Sequence, residues 1–395
     1  MSLRSDIAGM PRPVWVLFAG TLVNRFGTFV LVFLALYLTR KGFTAPQAGL
    51  AMGAYGAGAI GASIVGGWLA DHIGRRNSIV LSMLLSAAVM LVFPHAEGYR
   101  ALLGLATFAG FCAELYRPAA AALIADVTTP AQRVTAYALY RFAINLGFAI
   151  GPAVGGFLAQ HSFTLLFVGD AVTSLVYAGT AIAALPNRTG DHHGTAARRS
   201  ALSVILRDAP FLMFIGSTFM AATVFMQHVS SYPLQLDAYG YSSAVFGMLI
   251  SLNGVIICLT ELPLTSVTRR RSARRVMTTG LVVIGAGFVM TGFVKSIPLL
   301  VTSVVIWTLG EMLYFPMASA HIANVSPPDM RGRYQGAWGI AWGLGCVLGP
   351  IGGTNLFAHD PRLVWIAAGV LALIGAMLVL VATRTGARQR APAAL

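Results

Sequence analysis

Twelve long apolar stretches follow one another along this chain, separated by short polar breaks. They lie near residues 14–38, 46–70, 77–94, 100–125, 134–160, 162–185, 210–235, 243–267, 276–294, 298–323, 333–357 and 362–383. A helix that crosses a bilayer needs ~20 mostly apolar residues. Within lipid a helix satisfies its own backbone hydrogen bonds, so repeated runs of this length leave few folds open. Composition agrees: 57% of residues are hydrophobic and 10% charged, whereas a soluble domain carries about 25% charged residues. The expected fold is an all-α membrane protein of twelve transmembrane helices.

The net charge of +14 would suit a nucleic-acid binder, but the basic residues are spread over separate loops, and no nucleic-acid partner is expected. Their placement reads as topology. With both termini cytoplasmic, 19 of the 27 Lys and Arg fall on that side, including Arg75, Arg76, Arg133, Arg198, Arg199, Arg269–Arg271, Arg274, Arg275, Arg331 and Arg333. Only Arg40, Lys41, Arg100, Lys295 and Arg362 fall outside, and three remain within runs. That excess fixes the orientation in a cell (inner) membrane. The N-terminal run is too long for a signal peptide and lacks a small-residue cleavage site, so it reads as a retained helix. Cys112, Cys258 and Cys346 all lie in apolar runs and read as small buried hydrophobes. No metal site or cofactor is expected, and His192-His193 reads as part of a solvated linker.

That linker, 186–209, is the one polar interruption of any length, so the expected domains are 1–185 and 210–395. An internal repeat supports two halves of six helices. Adding 198 to a residue number carries Tyr116 onto Tyr314, Pro118 onto Pro316, Ile124 onto Ile322 and Asp126 onto Asn324. It also carries Arg133 onto Arg331, Gly147 onto Gly345, Gly151-Pro152 onto Gly349-Pro350 and Gly155 onto Gly353. Apolar composition alone would not align Pro, Gly and Arg at one offset.

The break between the second and third runs reads Gly67-Trp68-Leu69-Ala70-Asp71-His72-Ile73-Gly74-Arg75-Arg76. Gly67 and Gly74 suit a tight turn, Arg75 and Arg76 a cytoplasmic surface, and Asp71 a cap for the following helix. The pattern G-x-L-A-D-x-x-G-R-R resembles the loop signature of the major facilitator superfamily, whose plan is two pseudo-symmetric six-helix bundles. The fifth run carries Tyr137, Arg141 and Asn145 on one face and continues into Gly147, Gly151-Pro152 and Gly155-Gly156. This G-x-x-x-G-P-x-x-G-G stretch is similar to a fifth-helix signature of antiporters in that superfamily. It reads equally as a packing seam, because glycines four apart permit close helix contact and Pro152 bends the helix.

The resemblance implies that the first, fourth, seventh and tenth helices line a central cavity. The sequence supplies an independent reason: those runs hold Asn24 and Arg25, Glu114 and Arg117, Gln227 and His228, and Glu311 and Tyr314. Charged side chains at mid-bilayer cost at least ~2.5 kcal/mol, so they belong where water or a partner relieves them. By helix rise, Glu114 and Glu311 lie ~18 Å and Arg25 ~16 Å from the cytoplasmic helix ends. Glu114 reads equally as a static partner of Arg117 or as a transport residue. Glu311 is the favoured carrier of a proton or of a cationic substrate, and Asp170 and Glu261 read as structural. Asp71, Arg75, Asp126 and Arg133 form the expected cytoplasmic latch, with Arg133 the expected partner of Asp71. Phe29, Tyr116, Phe225, Tyr314 and Phe315 are expected to hold a substrate without strict hydrogen-bond demands.

By resemblance the nearest branch is the drug/proton antiporters, which implies a monomer that exports drug-like or amphipathic molecules in exchange for protons. It implies no enzyme activity, and no nucleophile–base set or phosphate loop is present in the sequence. Three departures stand out. The basic residue usual in the fourth helix of that branch is replaced by Ala106-Thr107. The second-half loop copy, Thr268-Arg269-Arg270-Arg271, has no Asp. Asn24-Arg25-Phe26 resembles part of the E-x-x-E-R-F of proton-coupled peptide transporters, without either glutamate. A lipid or small-metabolite exporter or importer, or a non-transporting receptor, stays open.

Overall fold

The computed structural model describes residues 9–187, 204–268, 271–327 and 330–390. His192, His193, Arg198, Arg199, Arg269 and Arg270 lie outside the described residues. Among the described residues the structure is helical throughout, with no strand. The helices are α1 Arg12–Phe26, α2 Phe29–Arg40, α3 Ala45–His72, α4 Arg75–Val92, α5 Tyr99–Glu114, α6 Arg117–Val127, α7 Pro130–His161 and α8 Phe163–Ala184. They continue as α9 Ala209–Phe225, α10 Ser231–Ala238, α11 Ser243–Thr268, α12 Ala273–Phe293, α13 Ile297–Val325, α14 Arg331–His359 and α15 Pro361–Arg390.

Eleven helical segments among the described residues are long and apolar enough to cross a membrane. The expected fourth run is the one not among them, because it is divided into helices of 16 and 11 residues. Large apolar side chains such as Ile64 (74% exposed) and Leu259 (71%) point outward along these helices. In water such surfaces would drive association; against lipid they are at home.

Contacts divide the chain into two compact units, residues 1–193 with 232–258, and residues 194–231 with 259–395. In the first unit α1 packs on α7 and α8, α4 on α8 and α5, and α3 on α5. In the second, α9 packs on α14 and α15, and α12 on α15 and α13. Apart from α3 on α5, these pairings match under the 198-residue repeat. Lipid offers no hydrophobic drive between helices, so close packing has to supply the attraction. The α3–α5 seam shows how: a Cβ on Gly66 would sit 2.5 Å from the Leu115 carbonyl oxygen.

The turn between α3 and α4 is shorter than expected. Gly67 through His72 belong to α3, and only Ile73 and Gly74 form the turn, Gly74 at φ 91°. Gly74 itself is the N-cap of α4, with no side-chain cap bond, so Asp71 does not cap that helix. The apolar residues Trp68 and Leu69 extend the helical periodicity past the point where the glycines suggested an end.

Candidate functional site

Three of the runs expected to carry buried polar groups are broken near their middle. In the first, α1 ends at Phe26 and α2 begins at Phe29. Gly27 favours a break because it is a poor helix former. In the fourth, Pro118 has no N–H to give the Glu114 carbonyl, and the helix divides at Leu115–Tyr116. In the seventh, α9 passes into a 3₁₀ turn at Met226–His228.

The breaks of the first and fourth runs meet. Arg25, at the end of α1, places Nη2 3.1 Å from Glu114 Oε1, and Arg117 Nε lies 2.7 Å from Glu114 Oε2. Side-chain exposure is 10% for Arg25, 16% for Glu114 and 48% for Arg117. One carboxylate is therefore divided between two guanidinium groups, an inner and an outer one. Arg25 also lies over the Tyr116 ring, 5.6 Å from its centroid. The Arg25 Nε and the Tyr116 hydroxyl are buried without a hydrogen-bond partner. Asn24 donates from Nδ2 to Ser174 Oγ at 3.4 Å, so both residues of the Asn24-Arg25 pair face protein. Asp170 is 6% exposed on α8.

The glycines of α7 hold this arrangement. A Cβ on Gly147 would lie 2.8 Å from both the Arg25 Cβ and the Phe26 N, and one on Gly151 2.6 Å from the Phe26 carbonyl oxygen. One on Gly155 would meet Phe29 Cδ1 at 2.7 Å. Under the 198 offset Phe29 becomes Gln227 and Gly155 becomes Gly353, and Gly353 indeed abuts the Gln227 side chain. Gln227 donates to the Gly349 and Thr223 carbonyls at 2.9 Å and accepts from Ser231 at 2.7 Å. The repeat thus extends to contacts where the sequences no longer match. A Gly147→Ala protein should lose about 1–3 kcal/mol by overpacking at Arg25. The check is its thermal midpoint in detergent beside Gly104→Ala, where a Cβ has no neighbour within 4 Å; equal midpoints would mean that the seam simply relaxes.

In the second unit Tyr314 is fully buried, with its hydroxyl 3.1 Å from Ser217 and 3.4 Å from Thr218. Contrary to expectation, it braces α9 and offers no open face. Gln227 and His228 are buried, each 3% exposed. Phe225 and Phe315 are half-buried and pack edge to face at 5.5 Å. Trp342 joins them, 5.1 Å from Phe315 and 6.1 Å from Phe225. Trp338, one turn earlier, donates to Thr218 at 3.1 Å. The sequence reading missed both tryptophans, although their four-residue spacing puts them on one face of α14. Glu311 is half-buried at the centre of α13, the fifteenth of its 29 residues. Arg141 is exposed on α7.

At the turn between α3 and α4, Arg75 rather than Arg133 gathers the carboxylates. Its Nη1 lies 2.5 Å from Asp71 Oδ1 and its Nε 3.3 Å from Asp126 Oδ2, with 9% of the side chain exposed. Arg133 instead donates to the Ala125 carbonyl at 3.2 Å. Four-residue spacing along the chain made Arg75 the nearer cation for Asp71. Arg76 donates to Asn77 at 3.3 Å, apart from this pair. The side chain of Arg331 lies outside the described ones.

Residues 17–241 and 217–394 match the Major Facilitator Superfamily, and the chain belongs to it. It is 28% identical over 375 residues to the uncharacterised MFS-type transporter YqjV of Bacillus subtilis, covering 91% of each chain. It is 25% identical over 348 residues to the multidrug resistance protein MdtH of Escherichia coli, covering 85% of each. A Na(+), Li(+), K(+)/H(+) antiporter of Planococcus maritimus is 24% identical over 356 residues, with 82% of this chain and 84% of that one covered. Among solved structures, a peptide transporter POT in complex with sulfate superposes with a TM-score of 0.81 at 16% identity, covering 98% and 99%. The protein is a multi-pass membrane transporter of this superfamily and not an enzyme.

Proposed function

We propose that the protein exports amphipathic, drug-like small molecules from the cytoplasm in exchange for protons, by alternating access, as a monomer in the cell membrane with both termini cytoplasmic. The observation that carries this reading is the Arg25–Glu114–Arg117 cluster at two coincident helix breaks, its Arg25–Glu114 pair largely enclosed. Irregular backbone and charge at membrane depth are tolerated where they serve a polar path, and are costly elsewhere. A multidrug resistance protein and a Na(+), Li(+), K(+)/H(+) antiporter among the relatives favour the same direction. In this reading residues 1–185 and 210–395 are the two repeats, and 186–209 is the cytoplasmic connection. Arg25, Glu114, Arg117, Arg141, Gln227, His228, Glu311 and Tyr314 belong to the substrate and proton path or to its immediate support.

Arg75 with Asp71 and Asp126 is the proposed cytoplasmic latch. Asp71→Asn keeps the side-chain shape and removes one charge from a pair on a largely buried arginine. Export of a fluorescent amphipathic dye from energised vesicles should slow about tenfold, the effect of ~1.4 kcal/mol on a barrier. Wild-type rates at equal protein content would remove the latch. Absence of dye movement by the unaltered protein, and of counterflow in proteoliposomes, would remove the export reading as a whole.

A further inference from the structure

The cation that faces outward from the cluster has unused donors. Arg117 spends its Nε on Glu114 and makes no other hydrogen bond or ion pair among the described residues. Its two terminal nitrogens, on a side chain 48% exposed, form an open fork. They stand at the first residue of α6, ten residues or ~15 Å from its cytoplasmic end. With a hydrocarbon core ~30 Å thick, that is mid-membrane.

At this depth exposure means either lipid or water. A guanidinium turned to hydrocarbon would cost at least ~2.5 kcal/mol, so its open side is a wet one, too deep for a lipid headgroup. Nor does the cluster cancel its own positive charge. Glu114 divides its two oxygens between Arg117 and Arg25, and Asp170 is shut away at 6% exposure. Behind Glu114, Arg25 is nine-tenths buried and still has an unpartnered Nε. The accessible face of the cluster is therefore short of acceptors and rich in donors. A planar fork of two N–H groups matches a carboxylate, which can accept two parallel bonds.

Resting on the transport reading above, we propose that Arg117 is the docking point for a carboxylate on the substrate. The transported compounds are then amphipathic acids or zwitterions, and not simple lipophilic cations. Glu114 acts as a positioning residue that aims the fork, and Arg25 anchors Glu114 from behind.

Three probes with one ring system and different charge test this: naphthoate, naphthamide and naphthylmethylammonium. Their equilibrium binding is measured to the full chain in nanodiscs of neutral phosphatidylcholine. Naphthoate should bind about tenfold or more tighter than naphthamide, the scale of one charge-assisted hydrogen bond. Arg117→Gln should erase that preference, and Arg117→Lys should keep part of it, with a normal elution profile for both proteins. Equal affinities for acid and amide, preference for the ammonium probe, no saturable naphthoate binding, or an unchanged preference in Arg117→Gln would each overturn the proposal. The export reading fails separately, by absence of counterflow in proteoliposomes, whatever the nanodisc binding shows.

Discussion

Glu114→Gln should be the most damaging single substitution in the membrane interior. The variant should lose export and should unfold in detergent well below the unaltered protein. Glu114 compensates two guanidinium groups, one of them on a side chain only 10% exposed. Removing one partner of a buried pair leaves an uncompensated charge and typically costs about 3–5 kcal/mol. Arg117 can swing toward water, because half of its side chain is already exposed. Arg25 cannot, held as it is between Tyr116 and the α7 glycines. Stability should therefore return, without transport, in the double variant Arg25→Gln/Glu114→Gln, which removes the stranded charge. Arg117→Gln alone should cost far less stability than Glu114→Gln. A thermal midpoint of Glu114→Gln equal to that of the unaltered protein would show that the cluster contributes nothing to the fold.

How much of this cluster could be read beforehand follows from the range of each interaction. The pair Glu114–Arg117 is three residues apart on one helix face and is visible in the sequence. Arg25–Glu114 joins residues 89 apart and is not. Depth counting nonetheless put both near one level, since helix rise is fixed. The apolar runs were legible because a span has a required length. The breaks were legible only in part: Pro118 announces one through its missing N–H, whereas Gly27, a poor helix former within an otherwise apolar run, marks the other only weakly. The latch shows the opposite error. Arg133 drew attention through the repeat, yet Arg75, one helical turn from Asp71, takes both carboxylates. Local spacing outweighed the pattern. The grouping of 232–258 with the first unit has no signal in composition, since it depends on which helix faces meet.

Coupling makes the second large prediction. Proton-driven export, as proposed above, needs a group that gains and loses a proton during the cycle, and that group must be reachable by water. Glu114 is held by two arginines, Asp71 and Asp126 share Arg75, and Asp237 lies 2.9 Å from Arg40. Asp170 is almost fully enclosed. Glu311 is half-buried, ~21 Å from either end of α13, so it combines membrane depth with access. Glu311→Gln fixes the neutral form with little change of shape. Proteoliposomes bearing it should still exchange substrate at equilibrium, but accumulation driven by a pH gradient should be abolished. Loss of exchange and accumulation together, restricted to cationic substrates, would instead make Glu311 a binding carboxylate. Accumulation at the unaltered rate would exclude it from coupling and turn attention to Asp170, whose enclosure would then have to open during the cycle.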